Sequence, residues 1–306
     1  MTAMRYNALT NFCISGLKRP NLSVTFCVIE NNLQEKLLVT NFFQRVQIRD
    51  AERNTMLCVG LDTDSIKIPA HLAAKTDAII DFNRAIIDAT HDLVCCYKPQ
   101  IAYYSSQSAE EALIETIQYA QSKGVPVLLD AKRGDIGNTA EQYARELFER
   151  FNADAITVNP YMGTDSLAPY LSYENKGVFV LCRTSNPGGT DLQNLMLEGG
   201  RRVYEQVAYL ACEQWNENNN VGLVVGATQP AELARVREIT GDMPFLVPGI
   251  GAQGGDINAM MRATFGQNVI VSSSRGVIYA SDGEDFAESA RTNALETRNS
   301  INAARN

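Results

Sequence analysis

Histidine is nearly missing from this chain: 306 residues carry only His71 and His91. Both lie in polar, helix-like stretches, which argues against a histidine-based triad and against a histidine-rich metal site. The seven cysteines, Cys13, Cys27, Cys58, Cys95, Cys96, Cys182 and Cys212, contain no C-x-x-C pair. Several fall in apolar, strand-like runs, the pattern of buried thiols in a reducing, cytoplasmic compartment rather than of a disulfide framework. No apolar run approaches the ~20 residues that span a bilayer, so no membrane partner is expected. Basic excess is lacking too. The net charge is −8, and nonspecific nucleic-acid binding requires a basic face.

What is present is ordinary in bulk: 45% apolar residues, 20% charged, 10 Pro and 21 Gly, the composition of a soluble globular enzyme with a sizeable core. The length allows either two domains or one large α/β barrel. Residues 1–39 stand apart. They hold no acidic residue before Glu30, are rich in asparagine and keep no sustained period. Their longest apolar stretch, Val24 to Ile29, is interrupted by Thr25 and is too weak for a secretory h-region. Arg5, Lys18 and Arg19 without acids fit an organellar transit peptide, but no amphipathic helix accompanies them. The expectation is an appended, poorly ordered extension over 1–39, followed by a single catalytic domain over 40–306.

From Asn41 onward a rhythm sets in. Short apolar runs recur at Leu57–Leu61, Leu93–Tyr97, Val125–Leu129, Ala155–Val158, Val178–Leu181, Gly222–Val225, Phe245–Val247 and Asn268–Val271. Between them lie helix-like segments, among them Thr76–Thr90, Ser108–Lys123, Thr139–Phe151, Arg201–Asn216, Pro230–Thr240 and Asp256–Phe265. Near-continuous apolar strands alternating with helices predict a parallel sheet covered on its outer face. Eight such units predict an α/β fold of the closed (β/α)8 TIM-barrel type rather than an open doubly wound sheet. Just past the runs stand Asp62, Lys98, Asp130 with Lys132, Asn159, Arg183 with Ser185, Thr228, Pro248 to Gln253, and Ser272 to Arg275. Polar groups converging from nearly every strand terminus describe the catalytic mouth of such a barrel.

The third run ends in the densest chemistry, Asp130-Ala131-Lys132-Arg133-Gly134-Asp135-Ile136. Residues two apart on an extended backbone share a face, which sets Asp130 beside Lys132. Such an array can hold an anionic substrate, repel part of it and supply a proton with neither metal nor organic cofactor. Alone, the pattern is equally that of a solvated loop with an incidental ion pair. Two later turns, Val247 to Asp256 and Ser272 to Gly276, add glycine-rich backbone and Arg275. Backbone N–H groups and a guanidinium fork are suited to a phosphate, and the loops after strands 7 and 8 are a recurrent phosphate site in barrels. Gly249, Gly251 and Gly254 also spell G-x-G-x-x-G, but the acidic residue that a dinucleotide fold wants about 20 residues on is replaced by serines.

Taken together, Cys58 to Asp62, Tyr97-Lys98-Pro99, Asp130 to Ile136, Ser185 to Gly189, Pro248 to Asp256 and Ser274-Arg275-Gly276 resemble the orotidine 5′-phosphate decarboxylase family, in its longer bacterial branch. The match runs from about Asn41 to the last helix. The resemblance implies decarboxylation of orotidine 5′-phosphate to UMP, the final step of de novo pyrimidine synthesis, with no cofactor. It implies Lys132 as the acid that protonates C6 and Asp130 beside the departing carboxylate. Lys98 would bridge the charge array and a ribose hydroxyl, and Asp62 would bind the ribose. Ser185 would face the pyrimidine edge, Gln253 and Arg275 would hold the phosphate, and Ser274 would contact the substrate. Asp135, with Ile136 and Thr139, would reach into a neighbouring subunit's site, which implies a homodimer with shared active sites. Arg133 and Gly134 depart from the more apolar pair of the shorter members, and the N-terminal extension is unusual.

The nearest alternative is a sugar-phosphate lyase that shares Asp-x-Lys-x-x-Asp but uses Mg²⁺. In such enzymes a carboxylate stands where this chain has Lys98, and an ammonium there opposes a cation. A phosphate-sensing barrel without catalysis is the alternative from another class.

Overall fold

A computed structural model describes residues 40–250 and 256–305. The proposed extension over 1–39 lies outside the described residues. Each of the eight apolar runs carries a strand: β1 Leu57–Gly60, β2 Cys96–Lys98, β3 Leu128–Arg133, β4 Ala155–Val158, β5 Gly177–Arg183, β6 Val221–Val225, β7 Phe245–Val247 and β8 Val269–Ser273. All pair in parallel in the order β2-β1-β8-β7-β6-β5-β4-β3. The remaining seam is bridged in parallel at Tyr97 and Val127 and at Gln100 and Asp130. Asp130 N–H donates to the Pro99 carbonyl at 2.9 Å there. The TIM barrel thus replaces the open sheet that G-x-G-x-x-G would require.

Helices follow the strands as the apolar spacing predicts, with adjusted ends. Pro230–Thr240 is as expected, while Ala78–Thr90 and Glu110–Ser122 begin two residues later than expected. Two expected helices change pitch before they end: Gly137–Arg145 continues as a π-helix over Glu146–Arg150, and Val203–Leu210 continues as one over Ala211–Trp215. The Phe42–Arg53 helix has only Phe42, Phe43 and Val46 buried. It starts at a capping box, in which Asn41 Oδ1 accepts from Gln44 N–H and Gln44 Oε1 accepts from Asn41 N–H, both at 3.0 Å.

Alternation along the strands separates two apolar cores. Val59, Leu129, Ile156, Val180, Leu223 and Val271 pack outward under the helices. Cys58, Cys96, Leu128, Ala155, Phe179, Val224, Leu246 and Ile270 point into the barrel, where Phe42, Phe43 and Val46 of the first helix join them. Phe42 and Phe43 meet the Phe179 ring edge-on, with centroids 6.0 and 5.3 Å away. Room for this plug comes from Gly177, where a Cβ would lie 2.8 Å from Phe42 Cδ1. Burial pushes the Cys96 thiol well up, so it is a neutral packing group. Among the described residues Cys58, Cys95, Cys96, Cys182 and Cys212 are free thiols, and no helix is long and apolar enough to cross a membrane.

Candidate active site

The charged centre is built where β3 breaks register with β4. Leu129 is opposite Ile156 and Arg133 opposite Val158, so β3 advances four residues while β4 advances two. Within this bulge Lys132 takes a left-handed φ of 49°, which costs a non-glycine residue roughly 1–2 kcal/mol. Thr157 holds the distorted segment. Its Oγ accepts from Ala131 N–H at 3.0 Å and Lys132 N–H at 2.9 Å, and donates to Asp130 Oδ1 at 2.8 Å. Asp130 and Lys132 do meet, but through a bulge rather than through simple strand alternation.

Asp130 is the hub. Its Oδ1 accepts from Lys132 Nζ at 2.6 Å and its Oδ2 from Lys98 Nζ at 3.2 Å. Lys98 and Asp130 are only 6% and 8% exposed, whereas the Lys132 side chain is 44% exposed and reaches into the opening. Burial alone would raise the Asp130 carboxyl, but the Lys98 and Lys132 ammoniums hold it far below the usual carboxylate range. Burial likewise opposes the charge on Lys98, and Asp130 with Asp62 outweighs it, so its ammonium is held more firmly than usual.

These groups lie at the base of a cavity of about 590 Å³ at the C-terminal ends of the strands. Lys98, Asp130, Lys132, Asp62, Ser185, Ser274 and Arg275 all line it, as their sequence positions predict. Val224 and Leu246 form part of its floor and belong to the barrel-interior core. Asp62 Oδ2 accepts from Ser274 Oγ at 2.7 Å, while its buried Oδ1 has no hydrogen-bond partner among the described residues. Gly60 permits this closeness of β1 and β8: a Cβ there would fall 2.6 Å from Ser274 Cβ. Arg275 starts the short Arg275–Ile278 helix and is exposed at the rim. Gly249, at φ 102°, also lines the cavity. Gln253, with Gly251 and Gly254 of the same turn, lies outside the described residues.

Other predicted positions are not brought to this opening. Asp135 accepts at Oδ1 from Ile136 N–H at 2.8 Å. Asp135, Ile136 and Thr139 do not line the cavity of their own chain, and Ile136 is 56% exposed. Near them Met162, also exposed, would lie 3.3 Å from a Cβ at Gly134. Asn159 and Thr228 do not line the cavity either. Arg183 turns away and pairs with Glu232 outside the strand layer, only 3% exposed. Conversely, Gln100, Tyr103, Thr157, Leu181 and Thr184 line the cavity without having been singled out. Of these Thr157 lies within the apolar run of β4, where a threonine is an ordinary β-branched strand residue and gives no sequence signal.

Comparison with known proteins agrees with this architecture. The family model described as "Orotidine 5'-phosphate decarboxylase / HUMPS family" matches residues 55–290. A protein of Azoarcus sp. named orotidine 5′-phosphate decarboxylase is 62% identical over 260 residues, 83% of this chain and 96% of that one. The solved structure of Leishmania donovani OMP decarboxylase aligns with a TM-score of 0.74 at 43% identity, covering 87% of this chain and 99% of that chain. The UMP synthase of the same organism aligns with a TM-score of 0.77 at 43% identity. There the match covers 87% of this chain but 57% of the longer protein.

Proposed function

The chain belongs to the orotidine 5′-phosphate decarboxylase / HUMPS family, and from that membership we propose that it converts orotidine 5′-phosphate to UMP and carbon dioxide without metal or organic cofactor. One observation carries the reading: Lys98, Asp130 and Lys132 form a contiguous charge array in the same cavity that Arg275 borders. Loss of carbon dioxide from C6 leaves an electron pair on a vinylic carbon with no conjugated sink. Lowering that barrier calls for preformed charge aimed at the carbanion.

In this reading the Lys132 ammonium, held at 2.6 Å by Asp130, stabilises the developing pair and then gives C6 its proton. The substrate carboxylate is placed against Asp130, whose negative charge is locked in by two ammoniums. Lys98 keeps Asp130 oriented and offers a further N–H to a ribose hydroxyl. Asp62 Oδ1, buried and unbonded among the described residues, accepts from the ribose. Ser185 faces the pyrimidine edge, while Ser274, Arg275 and Gln253 take the phosphate. Binding the distant phosphate offsets the cost of desolvating the reacting end.

Asp135, Ile136 and Thr139 are assigned to the site of a second copy in a homodimer. Their position outside their own cavity and the exposure of Ile136, Tyr161 and Met162 support that assignment. Free thiols throughout the described residues are in keeping with a cytoplasmic setting. A Mg²⁺-dependent lyase chemistry is disfavoured by the Lys98 ammonium 3.2 Å from Asp130, which competes with a divalent cation for that carboxylate.

The test is a spectrophotometric assay of orotidine 5′-phosphate with and without a chelator. Turnover that survives chelation supports the proposal. An inert protein overturns the activity, and chelator-sensitive turnover overturns the cofactor-free chemistry.

A further inference from the structure

Thr157 is only 1% exposed, on β4 inside the barrel. A hydroxyl has one hydrogen to donate and two lone pairs to accept with, and here all three are used. The hydrogen goes to Asp130 Oδ1 at 2.8 Å, and the lone pairs take the N–H groups of Ala131 and Lys132 at 3.0 and 2.9 Å. Those two N–H groups belong to the stretch in which β3 has slipped against β4, so the regular ladder offers them no carbonyl. Lys132 is in the left-handed region, a conformation that persists only where surroundings enforce it.

We infer that Thr157 is a positioning residue for the decarboxylation proposed above: its hydroxyl ties the β3 bulge to the Asp130 carboxylate and thereby sets the aim of the Lys132 ammonium. The inference rests on that functional reading. Asp130 Oδ1 accepts from Thr157 and Lys132 together, so one oxygen fixes both the carboxylate plane and the ammonium. Without the hydroxyl, two partly buried N–H groups lose their acceptor and the carboxylate loses a donor. Lys132 is 44% exposed at its side chain and has few other restraints on where its Nζ points.

Steady-state kinetics of Thr157→Val and Thr157→Ser, with UMP inhibition measured alongside, test this. Valine keeps the shape and removes the hydroxyl, and serine keeps the hydroxyl. For Thr157→Val the expected result is a kcat lower by roughly 10- to 100-fold, the range for loss of a hydrogen bond to a charged group. KM and UMP inhibition should stay near wild type, because the phosphate and ribose contacts are elsewhere. Thr157→Ser is expected to restore most of kcat. A folded valine variant with wild-type kcat overturns the inference, as does a loss confined to KM. Should the valine variant fail to fold, the serine variant decides: a kcat as low as that of a shape-breaking Thr157→Ala overturns it, and recovery relative to alanine upholds it. Wild-type turnover in the same assay separates this outcome from failure of the functional reading, since an inactive wild type strikes the activity itself.

Discussion

Asp130 and Lys132 stand two residues apart in sequence and 2.6 Å apart in space, Oδ1 to Nζ, within a strand bulge where the backbone turns left-handed at Lys132. The pairing depends on a slipped register rather than on strand geometry. Lys132→Ala is therefore expected to remove the group proposed as proton donor while leaving the barrel intact. Turnover should fall by roughly 100- to 10,000-fold, the span that a general acid contributes, with an unchanged circular dichroism spectrum. Substantial residual decarboxylation by the folded variant contradicts the assignment.

Asp130→Asn keeps the shape of the side chain and deletes its charge, which strands the buried Lys98 ammonium. Breaking such a pair costs about 3–5 kcal/mol, to be read from urea unfolding at pH 7. The Asp130 carboxyl is held below its ordinary value of 3.8 by Lys98 and Lys132. Its contribution is therefore complete above that value and is lost as pH falls below it towards the depressed folded value. The stability gap between wild type and variant should be constant from pH 7 to about pH 5 and narrow in stronger acid. Lys98 gives the mirror case: its contribution is complete below the ordinary 10.5 and is lost only in strong alkali. A gap that widens on acidification contradicts this electrostatic account.

The proposed sharing of sites between two copies makes a separate prediction. Asp135→Ala and Lys132→Ala should each be inactive as homodimers, yet mixing them should restore activity, because each hybrid dimer regains one intact site. Subunit exchange is verified with a tagged copy. No recovery in verified hybrids refutes the contribution of Asp135 across an interface.

At the opposite end of the strands, Phe42→Ala should cost about 3–5 kcal/mol of stability through a cavity among Phe43, Phe179 and Gly177. Its kcat should match wild type at temperatures where it is folded. A thermal melt and a rate measured below the transition check both halves. A stable variant with low kcat contradicts the separation of plug and site.

The strands were legible because each is a short apolar run, as a barrel buried on both faces demands. The mouth was legible because Lys98, Asp130, Lys132 and Arg275 are charges placed immediately after those runs. The Phe42–Arg53 helix was not, since three buried side chains on an otherwise charged surface make a weak period. Arg183 misled for a related reason: at a strand terminus, charge says nothing about which way the side chain turns, and here it turns to Glu232. Thr157 was hidden among Ala155, Ile156 and Val158, where a hydroxyl reads as an ordinary β-branched neighbour. Its importance lies in the irregular backbone opposite, which no alternation pattern encodes.

The phenylalanine plug has one more implication, for traffic. Phe42, Phe43 and Phe179 pack together inside the barrel, so among the described residues aromatic rings fill its base. On the proposed function, both products would leave by the one mouth that Arg275 borders, and a change at that rim would be felt by gas and nucleotide alike.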